Sequence, residues 1–227
     1  MSVHFLFNVI FRATRGKRMR WFERTLPCDN ETTILDVGGT PGNWSYLSSR
    51  PRVVMLNLMV TEQTAELPEH LTYLQGDALA MTCSDGQYDI GFSNSVIEHM
   101  GTWENQRRFA EQLRRVARGL WVQTPALGFP IEPHFLAPFV HWTPKPWRKA
   151  LLRYFTPWGW LERPSREKVE QTVEEIRLLS YREMRELFPD CEIFIERVLF
   201  WPKSYIAVRR LPKVTLPTPN APARSAA

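Results

Sequence analysis

ILDVGGTPGNW, residues 34–44, is the stretch whose reading decides the fold. An apolar run ends at the acidic Asp36 and turns at once into a segment holding Gly38, Gly39 and Gly42. Glycines there let the backbone turn tightly and bring amide N–H groups close to a ligand, as open α/β sheets do at strand C-termini. The next apolar run ends at Asn57, 21 residues after Asp36, and the third is followed by Asp77, 20 residues further on. Three polar residues thus fall at successive strand ends, on the edge where such sheets bind ligands.

Outward from this stretch, short apolar runs alternate with amphipathic or turn-rich ones, the pattern of β-α-β units feeding a largely parallel sheet. Strands are expected at 33–37, 53–58, 71–75, 88–93, 119–123, 192–199 and 204–209. The last two are joined by residues 200–203, too few for a helical crossover, so they must form an antiparallel hairpin. Helices are expected over 103–117, where Phe109, Leu113 and Val116 recur at helical spacing, and over 165–178. Ser180 followed by Glu183 is a capping-box signature that opens a third helix, ending at Phe188.

Forty-four per cent apolar and 23% charged residues, with no run near the roughly 20 that span a bilayer, exclude a transmembrane protein. Cys28, Cys83 and Cys191 are widely spaced and lack any CxxC pair, which fits a reducing cytoplasm and neither a disulfide framework nor a zinc knuckle. The net charge of +5 sits wholly in residues 1–27, and the remainder balances 23 basic against 23 acidic side chains. That distribution argues against a nucleic-acid groove across the body of the protein. Residues 1–29 read as a basic amphipathic segment that either closes over the core as a helix or meets an anionic membrane peripherally. Residues 211–227, with prolines at 212, 217, 219 and 222, read as a disordered tail.

DVGGTPG, then VVMLNL, GDA, DGQYDIGFSNSVIEHM and RRVARGLWVQTP resemble, in that order, the class I S-adenosylmethionine-dependent methyltransferases, most closely the small-molecule type 11 branch. The resemblance covers about residues 30–125, and the final strand pair is similar to that family's reversed hairpin. It implies a doubly wound, Rossmann-like seven-stranded mixed sheet of order 3-2-1-4-5-7-6 over residues 30–210, with S-adenosylmethionine as cofactor. The residues implied for the cofactor are Asp36, Gly38, Gly39 and Gly42 at the methionine part, Asn57 at the ribose, Asp77 and Ala78 at the adenine, and Ser93 and Asn94 near the reacting methyl group. Asn57 departs from the Asp or Glu usual at that place, and Thr40 stands where many relatives have a further glycine.

Methyl transfer needs alignment of donor and acceptor, and a base where the acceptor must lose a proton. His99 and His134 are the candidates, since imidazole titrates near neutral pH, with Glu98, Glu132 and His141 close to them in sequence. Glu132, His134 and His141 lack the helical i, i+4 spacing of a recognisable metal motif, so no metal is expected. Residues 129–178 read as an insertion or lid after the fifth strand; nine of the chain's 28 aromatics fall in 129–160, interleaved with Lys145, Arg148, Lys149 and Arg153. The arginines at 12, 15, 18 and 20, with Lys145, Arg148 and Lys149, are expected to face an anionic surface over the acceptor pocket. The functional reading is O- or C-methylation of a small, hydrophobic or lipid-linked acceptor. The alternatives are a nucleic-acid methyltransferase, disfavoured because SNSV replaces an Asn/Asp-Pro-Pro motif, and a catalytically silent cofactor-binding protein of the same fold.

Overall fold

The computed structural model describes residues 15–60, 67–132, 134–135 and 137–211. The core sheet is built from β1 (Thr33–Val37), β2 (Arg52–Asn57), β3 (Leu71–Gln75), β4 (Tyr88–Asn94), β5 (Ala117–Pro125), β8 (Glu192–Val198) and β9 (Trp201–Arg209). Its order is β3-β2-β1-β4-β5-β9-β8. With the two short insertion strands β6 (Ile131–Glu132) and β7 (Ala137–Pro138) set aside, that is the expected 3-2-1-4-5-7-6. The first five strands pair in parallel and the last two run as the expected hairpin, β9 lying antiparallel to β5. The hairpin loop is tighter than the sequence suggests, because β9 begins at Trp201 and Leu199 turns the chain at φ +54.

Side-chain alternation divides the sheet into two buried faces. Leu35, Val37, Leu56, Leu120, Val122 and Ala207 look toward α3 (Trp103–Val116) and α7 (Tyr181–Leu187). Ile34, Met55, Phe92, Trp121 and Ile206 look the other way, toward α2 (Pro41–Trp44) and the helix over residues 15–25, named α1. Thr102 caps α3 by accepting from the Asn105 amide at 3.1 Å, and the Ser180–Glu183 capping box opens α7 as its sequence predicts.

From residue 15 onward the N-terminal segment belongs to the core. Met19, Phe22 and Leu26 recur at helical spacing and are buried, and the Phe22 ring meets Phe92 and Trp121 edge-on at 5.2 and 5.6 Å. Of the two readings of this segment, closure over the core describes residues 15–26. Residues 1–14 and the tail beyond Leu211 lie outside the described residues.

The insertion after β5 folds as β6, β7, α4 (Lys145–Tyr154), α5 (Pro157–Glu162) and α6 (Arg166–Glu175). Phe135, Val140, Leu152, Val169 and Val173 form a small core of their own there. Most of its other aromatics do not wall a closed pocket, since Phe139, Trp147, Tyr154, Phe155 and Trp160 stand exposed. Among the described residues no helix is long and apolar enough to cross a membrane.

Candidate functional site at the C-terminal edge of the sheet

The loop after β1 is shaped by its own side chains. Gly38 takes φ +70, and a Cβ there would lie 2.6 Å from Cγ2 of Val96. A Cβ on Gly39 would lie 2.1 Å from Oδ2 of Asp36, so that position is glycine because the strand-end carboxyl already fills the space. Around Gly42 nothing lies within 4 Å of an added Cβ, and the turn into α2 is open there. The glycines are thus required chiefly by contacts inside the protein, a reason that sequence alone could not supply.

Asp36 is 1% exposed and accepts from the Trp44 indole N–H at 2.8 Å. Burial pushes its pKa up to about 8, against the smaller opposing effect of that hydrogen bond. Asn57, at the end of β2, donates from Nδ2 to the Gly39 carbonyl at 3.2 Å and ties the second strand end to the loop of the first. Asp77 accepts from the Leu79 amide at 2.8 Å and holds its own turn, while Ala78 packs half-buried on the core. Ser93 is fully buried with an unpartnered hydroxyl.

Asn94 is held by Arg18, an arginine expected to face an anionic surface and found instead inside the fold. Arg18 donates to Asn94 Oδ1 at 2.8 Å, to Gln123 Oε1 at 3.0 Å and to both carboxylate oxygens of Glu196, at 2.7 and 3.3 Å. Its side chain is only 10% exposed. Burial disfavours the Glu196 charge, but Arg18 and the hydroxyl of Ser204 outweigh it and lower that pKa. One side chain of α1 thereby links the ends of β4, β5 and β8. The signal in the sequence is position: Arg18 lies one turn before Phe22, beside the apolar stripe rather than opposite it. Lys145 and Lys149 are likewise engaged within the insertion, by Glu174 and Glu170.

Beyond β4, Ser95 adopts φ +60 and starts the 3-10 turn Ile97–Met100 that delivers Glu98 and His99. A positive φ at a non-glycine residue costs of order 1–3 kcal/mol and persists where surrounding bonds impose it. Here the Ser95 amide donates to the Gln123 carbonyl and its hydroxyl to Gln123 Oε1, at 3.0 and 2.9 Å. The turn is also pinned from the insertion, where the Arg177 amide donates to the Glu98 carbonyl at 2.8 Å.

Glu98 is fully buried; its Oε2 accepts from Thr124 at 3.0 Å and its Oε1 has no partner. Burial pushes its pKa up to about 7, with the charge of His134 working against that rise. His134, from the loop between β6 and β7, places Nδ1 2.6 Å from Oε1 of Glu132. The buried Glu132 also accepts from the Phe135 amide at 2.9 Å. Burial opposes a charge on His134, but the Glu132 hydrogen bond and the fields of Glu132 and Glu98 win, and its pKa rises. The rings of His99 and His134 meet edge to face at 4.9 Å. His99 keeps part of its ring in solvent, and its pKa falls through the burial of the rest and through His134. His141 stands apart, its Nε2 against the Leu127 carbonyl at 3.1 Å. The chain therefore brings together Glu98, His99, Glu132 and His134, and leaves His141 out.

Beside this group, a cavity of about 400 Å³ opens between the segment after β5 and α6, bounded by Trp103, Glu132, Phe135, Arg148 and Arg177.

Residues 35–119, from the glycine loop to the start of β5, match the family model of the type 11 methyltransferase domain. This stretch is a methyltransferase domain. The match falls on the same motifs that resemble the S-adenosylmethionine-dependent class I methyltransferases. Solved structures share the fold at low identity. A SAM-dependent methyltransferase of Archaeoglobus fulgidus superposes with a TM-score of 0.57 at 13% identity, over 91% of this chain and 99% of its own. The PH0226 protein of Pyrococcus horikoshii gives 0.54 at 14%, over 87% and 89%. The 1,6-didemethyltoxoflavin N1-methyltransferase of Burkholderia thailandensis, solved with 1,6-didemethyltoxoflavin and S-adenosylhomocysteine, gives 0.52 at 9%, over 86% and 75%. No curated protein matches the sequence.

Proposed function

We propose that this methyltransferase domain binds S-adenosylmethionine along the ends of β1, β2 and β3 and methylates a small-molecule acceptor held beyond β4 and β5. The observation that carries the reading is the division of one sheet edge into two unlike halves. The loop Gly38–Gly42, linked to Asn57, offers backbone and neutral polar groups, whereas Glu98, His99, Glu132 and His134 gather titratable groups in one place. The first half suits a cofactor that must be held, and the second suits an acceptor whose proton must be managed.

The residues present fit the cofactor. Gly42 leaves room at the loop, Asn57 and Asp77 supply polar side chains at the ends of β2 and β3, and Ser93 offers a buried hydroxyl without a partner. When bound, the sulfonium supplies an electrophilic methyl group. Asp36 acts one step back, fixing the loop through Trp44, and Asn94 is positioned by Arg18. His134, backed by Glu132, and His99 face the acceptor's chemistry.

The acceptor class that the molecule favours is apolar or lipid-linked, with oxygen or carbon as the accepting atom. Trp147, Tyr154, Phe155, Trp160 and Leu161 of α4 and α5 and their flanks are each exposed, with Arg153 lying over the Tyr154 ring, side chains suited to peripheral contact with an anionic membrane from the cytoplasmic side. The test has two arms. Calorimetric titration with S-adenosylmethionine is expected to give one site per chain, and no binding would end the proposal. Incubation with a labelled methyl donor and fractionated lipid, quinone, phenol and sugar extracts is expected to label a lipid or quinone fraction; label only in a water-soluble sugar fraction would overturn the apolar acceptor.

A further inference from the structure

We propose that Glu98, His99 and His134 bind one divalent first-row transition-metal cation at the acceptor end of the site. One ligand atom from each lies within 4.8 Å of the others. A metal about 2.1 Å from each atom draws such ligands to roughly 3–3.5 Å apart, so the three atoms would close by up to about 1–2 Å on binding. Two imidazoles and a carboxylate form a donor set that suits these metals and leaves coordination positions open.

Three further observations point to a ligand. Glu98 is fully buried, and while Oε2 is satisfied by Thr124, Oε1 has no partner, which is costly unless something occupies it. His134 is oriented as metal-binding histidines are: Nδ1 faces the carboxylate of Glu132 at 2.6 Å, which leaves Nε2 as the free donor. Charge is the third. Glu132 is already paired with His134, whereas the buried Glu98 has no lysine or arginine in an ion pair with it among the described residues, so a cation there would take the place of the proton that burial otherwise favours on Glu98.

The site sits in segments 36 residues apart in sequence, which is why no local spacing motif announces it. Its consequence for chemistry rests on the methyltransferase reading. A hydroxyl bound at an open position is acidified by the cation, loses its proton to solvent and accepts the methyl group, with a neutral thioether left as the other product.

The experiment uses the full chain, stripped with chelator and titrated with Co²⁺, followed by its visible absorption and by competition with Zn²⁺. One equivalent is expected to bind, with a visible absorption band that the chelator-stripped protein lacks. Glu98→Gln and His134→Ala are expected to weaken binding at least about tenfold, and Glu132→Gln about 10–100-fold as an outer partner. His99→Ala changes a partly exposed side chain, so it remains informative should the buried variants misfold. Less than half an equivalent bound by the wild type, or wild-type affinity in His99→Ala and Glu98→Gln, overturns the site. Calorimetry with S-adenosylmethionine alone separates the two ideas: metal bound without cofactor binding defeats the methyltransferase reading and leaves the metal site standing, and the reverse result defeats the metal site alone.

Discussion

At the end of β1 the loop is governed by near neighbours: Asp36 fills the space above Gly39, Trp44 holds Asp36, and Asn57 reaches the Gly39 carbonyl. At the ends of β4 and β5 the opposite holds. Glu98 meets Thr124, His99 meets His134, and Arg18 bridges Asn94, Gln123 and Glu196 across most of the chain. The first region is rigid by local sterics and neutral in character; the second is assembled from distant segments and concentrates buried charge. A fold of this kind can therefore keep one ligand-binding half nearly constant and vary the other by insertion, since only the second half draws on the segment inserted after β5.

The largest effect that would break this contrast is at Gly39. Replacement by Val places a side chain where the Asp36 carboxyl sits, 2.1 Å from the first added carbon, so either the loop or the strand end must move. Gly39→Val is expected to abolish cofactor binding by calorimetry, whereas Gly42→Ala, with open space around its Cβ, should bind as the wild type does. Equal behaviour of the two variants would mean that the loop is not shaped by its own side chains.

Next in size is the long-range half. Arg18→Met keeps the apolar stem but strips Asn94, Gln123 and Glu196 of their common donor, leaving Glu196, 23% exposed, without its guanidinium partner and with only the field of Lys203. A loss of about 2–3 kcal/mol in denaturant unfolding is expected, as for removal of one partner from a largely buried pair. Arg18→Lys should recover only part of it, because a single ammonium cannot reach three acceptors in the guanidinium's fork. A change below about 0.5 kcal/mol would place Arg18 among ordinary surface arginines after all.

The same contrast decides how much of each half is legible in the sequence. The strand order, the hairpin and residues such as Gly38 and Asn57 lie in contiguous motifs with fixed spacing, so periodicity and turn chemistry reach them. Arg18 escapes such reasoning because a helix stripe tells which side is buried but not what an arginine at its margin will meet. The aromatic insertion yields its composition but not its form, since the sequence cannot say that Phe135 turns inward while Trp147 and Phe155 face solvent. Glu98 and His134 are visible as candidates one by one; that they converge with His99 is a tertiary fact.

The buried Asp36 gives the local half a pH signature. Its folded pKa is raised to about 8 from an ordinary 3.8, so the native state prefers the protonated acid. The stability this contributes is full below the unfolded value and drains as pH rises through the folded one, at up to about 1.4 kcal/mol per pH unit. Asp36→Asn keeps an acceptor for Trp44 and cannot ionise. Thermal melts without cofactor are expected to show the wild type losing stability between about pH 6 and 8 relative to the variant; parallel curves would mean that Asp36 is ionised throughout.

The smallest expected effect tests whether the two strand ends of the local half act as one unit. From ligand chemistry alone, Asn57→Asp ought to tighten the grip on a ribose diol, because a carboxylate accepts from both hydroxyls. The structure adds an opposing cost: the amide N–H₂ that donates to the Gly39 carbonyl at 3.2 Å is replaced by an oxygen, and two acceptors then face each other. One hydrogen bond lost is worth about 1 kcal/mol, and the facing oxygens add repulsion to it, so the loop is loosened in the very place where the ligand is held. A roughly threefold to tenfold weaker cofactor affinity is therefore expected from a net change of about 1 kcal/mol. Tighter binding in calorimetry would show that the Asn57–Gly39 bond gives way when the cofactor arrives, and that the loop is set by the ligand rather than by its neighbours.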